Sequence, residues 1–122
     1  MKKAPQEQDY TLANVLELDG SVLVIDELGH WVKLEVQRVE VSPEHPQGIK
    51  YSFTLHDDSN RRLAGLDNAH AVRTSKGPGG KPLLPCDHRH HGETQKPYKY
   101  VNAAKLVEDF WKLVDQVLKE KL

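Results

Sequence analysis

The chain has 122 residues, of which 38% are hydrophobic and 29% charged, with a formal net charge of −1. That length suits one domain with a modest core, and that composition belongs to an ordinary globule, not to a disordered or fibrous chain. The longest aliphatic run, 22–25, is far too short to cross a bilayer, no apolar stretch follows Lys2 and Lys3 as a signal peptide would require, and the single cysteine, Cys86, has no internal disulfide partner, which fits a reducing cytoplasm.

Residues 1–10 are polar and read as a flexible tail, with one α+β domain over 11–122. Two or three strands are expected between 14 and 41. Asp19-Gly20 is a tight-turn signal between apolar runs, and Leu28-Gly29-His30 is a second turn. After it, Val32, Leu34 and Val36 alternate with polar residues, the pattern of a half-buried strand. Residues 42–48 hold two prolines and a glycine and read as a loop. Ile49, Tyr51, Phe53 and Leu55 alternate with polar residues in the clearest strand of the chain. Asp57-Asp58-Ser59-Asn60 is a turn, because such short polar side chains bond their own backbone. Residues 61–68 form the returning strand.

Residues 74–85 contain three prolines, three glycines and two lysines and read as a mobile basic loop. Short strands are expected at 87–91 and 98–101, joined by a turn over 92–97. The chain closes in a helix from Asn102, a good N-cap, to about Lys119. Ala103, Leu106, Val107, Phe110, Leu113, Val114 and Val117 form its apolar stripe. Such a helix, on the order of 30 Å long at ~1.5 Å per residue, is expected to cover one face of an antiparallel sheet of about five or six strands. That makes a two-layer α+β fold.

The chemistry concentrates in residues 63–100. Four of the seven histidines lie there: His70, His88, His90 and His91. Residues 1–60 carry 5 Lys/Arg against 11 Asp/Glu, whereas 61–99 carry 8 against 3. The histidine-rich third is therefore also the basic third, and a local basic patch attracts phosphate even on a neutral protein. Were 87–91 extended, His88 and His90 would share one face about 6–7 Å apart, and Asp87, Arg89 and His91 the other. Antiparallel pairing would bring this segment beside Asp67, Asn68 and His70. Three chemistries suit such a cluster. Paired histidines, or a histidine and an acid, act as general base and acid in RNA cleavage by the 2′-hydroxyl, with Arg or Lys on the phosphorane. Alternatively Asp67, His70, His88 and His90 bind a divalent metal, though Asp-x-x-His and His-x-His are weak patterns alone. In the third, the patch only binds. For any single histidine, bonding within a sheet is the simpler explanation; for the cluster it is not.

The order of these pieces resembles a known family. It runs Tyr-x-Phe-x-Leu (51–55), Leu-Asp-Asn-Ala-His (66–70), a Gly/Lys/Pro loop, Asp-His-Arg-His-His (87–91), Pro-Tyr-x-Tyr (97–100) and Leu-Val-Glu-Asp-Phe-Trp (106–111). Over roughly 12–118 it is similar to the TumE-like toxins of toxin–antitoxin pairs. The resemblance implies a cytoplasmic toxin, an antitoxin with a DNA-binding helix-turn-helix domain, and an attack on RNA or translation by analogy with RelE-like toxins. The motif positions carried over are Asp67, Asn68, His70, Asp87, His88, His90 and Tyr98. Leu66 departs from the pattern, since an aromatic often precedes Asp-Asn in the family; a ring there that stacked on a base would be missing here. The reading that follows is a ribonuclease without metal or other cofactor. His88 and His90 are its acid/base pair, Asp67 and His70 assist, Arg73, Arg89 and Lys96 hold phosphate, and Asn68, Asp87 and Tyr98 contact substrate. A non-catalytic binding toxin or regulatory module is the alternative, and a metal-dependent hydrolase comes third. No membrane association is expected, and a homodimer is left open.

Overall fold

A computed structural model describes residues 11–43, 45–68 and 87–121. Its elements are α1 (Leu12–Leu16), β1 (Ser21–Val24), β2 (Trp31–Arg38), β3 (Ile49–His56), β4 (Arg62–Asp67), β5 (His88–His91), β6 (Thr94–Pro97) and α2 (Ala103–Glu120). The six strands form one antiparallel sheet in the order β1-β2-β3-β4-β5-β6. His70 and Arg73, together with the basic loop and Cys86, lie outside the described residues.

Alternation decides which face each strand buries. Val32, Leu34 and Val36 of β2 and Ile49, Tyr51, Phe53 and Leu55 of β3 are buried toward the helices, as are Ala64 and Leu66 of β4. From α2, Leu106, Phe110, Leu113, Val114 and Val117 close the same core. Phe110 meets Phe53 edge to face at 5.6 Å between ring centroids, a favoured aromatic geometry. The helix starts as its N-cap demands: the Asn102 side chain accepts from the Lys105 amide at 2.8 Å. Thr11 Oγ1 accepts from the Ala104 amide at 3.1 Å, so a second free donor of the first turn is satisfied from the start of the domain.

The structure differs from the expected elements in two places. Residues 12–16 are helical, not the start of a strand. Leu12 and Val15 stand three apart on one turn, and both are buried in the core; five residues are too few for periodicity to separate helix from strand. Asp19-Gly20 accordingly turns a helix into β1. The Gly20 amide donates to Leu34 O while the Ser21 amide donates back to Leu18 O. That arrangement uses the positive φ of Gly20, +86°, which suits glycine. The last strand is Thr94–Pro97, not 98–101. Two residues, Gly92-Glu93, close the β5–β6 hairpin, with Gly92 at φ +64°; tight hairpins ask for such a residue. Pro97, a poor strand residue, is tolerated because β6 is an edge.

Replacing Phe110 with alanine removes the ring at the centre of the core and is expected to cost ~3–5 kcal/mol. Urea unfolding followed by far-UV circular dichroism measures it; a loss below ~1 kcal/mol would place Phe110 outside the stabilising core.

Candidate functional site

Strands β4 and β5 pair in the register Ala64↔His91, Gly65↔His90, Leu66↔Arg89 and Asp67↔His88. Residues opposite one another share a face. Leu66 faces the core, so Asp67, His88 and His90 stand together on the outer face, away from α2, while Arg89 and His91 point to the helix side. The two groups separate along β5 as alternation requires.

The outer-face group is close-knit. Asp67 is only 8% exposed and sits between the two imidazoles. Its Oδ2 lies 2.9 Å from His90 Nε2, and its Oδ1 lies 3.8 Å from His88 Nδ1. The imidazole centroids are 6.2 Å apart. On the far side of His90, the Arg62 guanidinium reaches Nδ1 at 3.4 Å. A carboxylate only accepts and a guanidinium only donates, so neutral His90 carries its proton on Nε2 and leaves Nδ1 with its lone pair. Burial depresses the His90 pKa below the usual 6.5, helped by the nearby Arg62 and His88 charges and opposed by Asp67. His90 is therefore a neutral base near neutral pH, with a carboxylate placed to stabilise the imidazolium it becomes on taking a proton.

Room at this site comes from Gly65, the ladder partner of His90. A Cβ there would lie 2.9 Å from the Phe53 carbonyl oxygen and 3.1 Å from Thr54 Cγ2, so no side chain fits and the face beside His90 stays low.

The remaining sequence-predicted residues are placed elsewhere. Asn68 is 1% exposed. Its Oδ1 accepts from the Tyr51 amide at 2.8 Å, its Nδ2 donates to Ile49 O at 2.9 Å, and its own amide donates to Tyr51 O. The side chain thus imitates a strand backbone and extends the β3–β4 ladder just beyond Asp67. Asp87 is buried and accepts the Tyr51 hydroxyl at 2.5 Å; burial raises its pKa, and burial beside Asp87 raises that of Tyr51. Tyr98 donates to Asp109 of α2 at 2.6 Å. Arg89 donates to Gln116 at 3.1 Å, and these two residues with Tyr98, Asp109 and Lys112 line a groove of about 210 Å³ on the helix side. Lys96 is exposed opposite Arg89 in the ladder and shares that side. Leu66 is buried in the core, so the position where an aromatic was expected to meet substrate packs against the helix layer instead.

Arg62 is the member that sequence reasoning missed. Strict alternation back from Asp67 and Gly65 puts Arg62 on the helix side. A register shift at Leu55/His56 pairs His56 with Arg62 and Leu55 with Ala64. This bulge inserts Leu63, which turns into the core, and sends Arg62 outward beside His90.

Two expectations follow. In an NMR titration of the imidazole carbons, the His90 midpoint falls below 6.5; Arg62→Ala raises it and Asp67→Asn lowers it, each by removing one charge. The folded pKa is depressed, so the fold is at full strength above the unfolded value, ~6.5, and loses stability as pH falls toward the folded one. His56, also depressed by burial, acts in the same sense. Asp87, raised by burial, acts oppositely at pH values above its ordinary 3.8, so the His90 contribution is the fall in stability between pH 7 and 5.5 that wild type shows relative to His90→Gln in thermal melts. Separately, Asn68→Ala strands the Tyr51 amide and the Ile49 carbonyl in the interior and should cost at least ~2 kcal/mol in denaturant melts, at ~1–3 kcal/mol per unsatisfied group.

Among the described residues no helix is long and apolar enough to cross a membrane, and no three His, Cys, Asp or Glu side chains are grouped to hold a metal ion. No curated protein and no solved structure matches the chain. A family model described as Toxin TumE matches residues 3–118, nearly its whole length. The order of motifs from the β3 strand through the Asp-Asn and Asp-His-Arg-His-His segments to the C-terminal helix thus belongs to a defined lineage, and the chain is a member of the TumE toxin family.

Proposed function

We propose that this toxin cleaves RNA on the outer face of its sheet, with His90 as general base and His88 as general acid. The observation that carries this reading is the single carboxylate of Asp67 set between two imidazoles, with His90 held as the Nε2–H tautomer. As substrate binds, the Arg62 guanidinium moves from His90 Nδ1 onto the phosphate, and the freed Nδ1 lone pair takes the proton of a ribose 2′-hydroxyl. The resulting oxygen attacks the adjacent phosphorus, and the bond to the 5′-oxygen breaks. His88, protonated, donates to that leaving oxygen, so the products are a 2′,3′-cyclic phosphate and a 5′-hydroxyl. Asp67 stabilises whichever imidazole carries the extra proton, and the Arg62 guanidinium beside Nδ1 meets the phosphorane charge. The chemistry needs no metal.

In this reading the roles of several residues change. Arg62 replaces Arg89 and Lys96 as the phosphate ligand, because those two share the helix side. Asn68 and Asp87 act through position: Asn68 pins the end of β4 and so the Asp67 backbone, and Asp87 anchors the start of β5 to Tyr51. Tyr98 ties β6 to α2. His70 and Arg73, which lie outside the described residues, keep the roles the family motif suggests, a further acid/base group and a phosphate contact. The toxin acts in the cytoplasm, on cellular RNA, and is held in check by an antitoxin with a helix-turn-helix DNA-binding domain.

Expression without antitoxin tests the reading. Wild type should arrest growth and degrade RNA. His88→Ala and His90→Ala should each relieve the arrest and lower cleavage by ~10²–10⁴-fold, the usual worth of an acid–base group, with unchanged circular dichroism. Arg89→Ala should retain cleavage. Growth arrest with RNA intact would establish a binding toxin instead.

A further inference from the structure

The two edges of the sheet differ in a way that the nuclease reading leaves unused. β6, with Lys96 and Pro97, carries the charge and the proline that guard an edge against pairing. β1 carries neither. Its sequence is Ser-Val-Leu-Val, and Val22, Leu23 and Val24 are 57%, 46% and 72% exposed. Leu28, in the turn that follows, is 69% exposed. Four of the six exposed large apolar residues of the described chain therefore lie within seven positions. Unguarded apolar edges pair with other chains.

The backbone is prepared for the same event. The Ile25 amide donates to His30 O, so ladder alternation turns the polar groups of Leu23 toward β2 and those of Val22 and Val24 outward. Val22 lies opposite Lys33 and Val24 opposite Trp31, which puts both side chains on the outer face, with Leu23 on the other. An added strand would gain main-chain bonds at Val22 and Val24 and apolar contact on both sides.

Charge selects the occupant. Between 11 and 32 the chain has four acidic residues, Glu17, Asp19, Asp26 and Glu27, and no Lys or Arg, and Lys33, opposite Val22, is paired with Glu35 at 3.4 Å. Glu17, Asp19 and Glu27 are exposed at the two ends of β1. Antiparallel pairing with a second copy would set Glu17 and Asp19 of one chain beside Asp26 and Glu27 of the other, a like-charge contact that disfavours self-association. A strand with apolar centre and Lys/Arg flanks meets the edge with matching charge. We propose that β1 is the docking edge for the antitoxin of this toxin, which adds an extended apolar segment with basic flanks as a seventh strand. This rests on the toxin–antitoxin reading but not on RNA cleavage.

The test uses the full chain and the full-length antitoxin encoded beside it. On complex formation, hydrogen exchange at the Val22 and Val24 amides should slow at least tenfold. Val24→Pro, which removes a donor pointing away from β2, and Val22→Lys, which places a guarding charge on the edge, should each weaken binding at least tenfold in calorimetry and leave the thermal melt of the free toxin within a few degrees. Salt should weaken binding further, as flanking charge pairs are screened. Unchanged affinity in both variants with no added protection at Val22 and Val24 would overturn the proposal. So would a free toxin that sediments as a dimer with those amides already protected. Antitoxin binding through β1 by a chain that cleaves no RNA would support the docking edge while rejecting the nuclease.

Discussion

The register of β4 against β5 is the constraint on which the rest depends. With Leu66 opposite Arg89 and Asp67 opposite His88, one strand position in two is apolar and buried and the others hold the polar cluster. A slip of one residue would turn His88 and His90 into the helix layer and bring Leu66 to the outer face, since side chains alternate with a period of two. The slip is opposed from both ends. Gly92 and Glu93 close the hairpin beyond β5, and the Gly92 amide bonds Leu63 O. At the other end the Tyr98 amide bonds Asp87 O, and the Tyr51 hydroxyl bonds the Asp87 carboxylate.

The same alternation divides the sheet into a face packed on the helices and a face that carries the Asp67, His88 and His90 cluster. The helix side is apolar at its centre and polar at its rim, where Arg89–Gln116, His91–Glu120 and Tyr98–Asp109 join the sheet to α2. Such partly exposed pairs add modest stability but orient the helix over the sheet. The outer side has no such cover among the described elements. There the Asp67 carboxylate, largely removed from solvent, lies 2.9 Å from His90 Nε2, and the ladder holds both side chains on the same face. At Gly65, beside this pair, the strands come so near that a methyl group has no space.

Asn68 and Arg62 illustrate how local exceptions to regular structure shape the site. Asn68 continues a ladder with side-chain atoms after β4 has ended, which lets the chain leave the sheet immediately beyond Asp67 without orphaning the β3 backbone. The bulge at Leu63 reverses side-chain parity within β4, so one strand delivers a leucine to the core and an arginine to His90.

Much of this was legible in the residues themselves. Strong alternation in 32–36 and 49–55, the turn at 57–60 and the amphipathic stripe of 103–117 determine a helix-covered antiparallel sheet, because burial of one face per element is a local property of spacing. The crowding of histidines near Asp67 likewise marked the candidate site, where the ladder sets Asp67 beside His88 and His90. Other features depended on partners distant in sequence. Whether 12–16 is helix or strand is decided by its fit against α2 and β2. The end of the chain's last strand is set by pairing with β5, against the weak preferences of Thr94 to Pro97. That Asn68 faces inward, that Arg62 rather than Arg89 joins the histidines, and that β1 is left as an open edge all follow from register, bulge and strand order. These are relations between segments, and no single segment's periodicity encodes them.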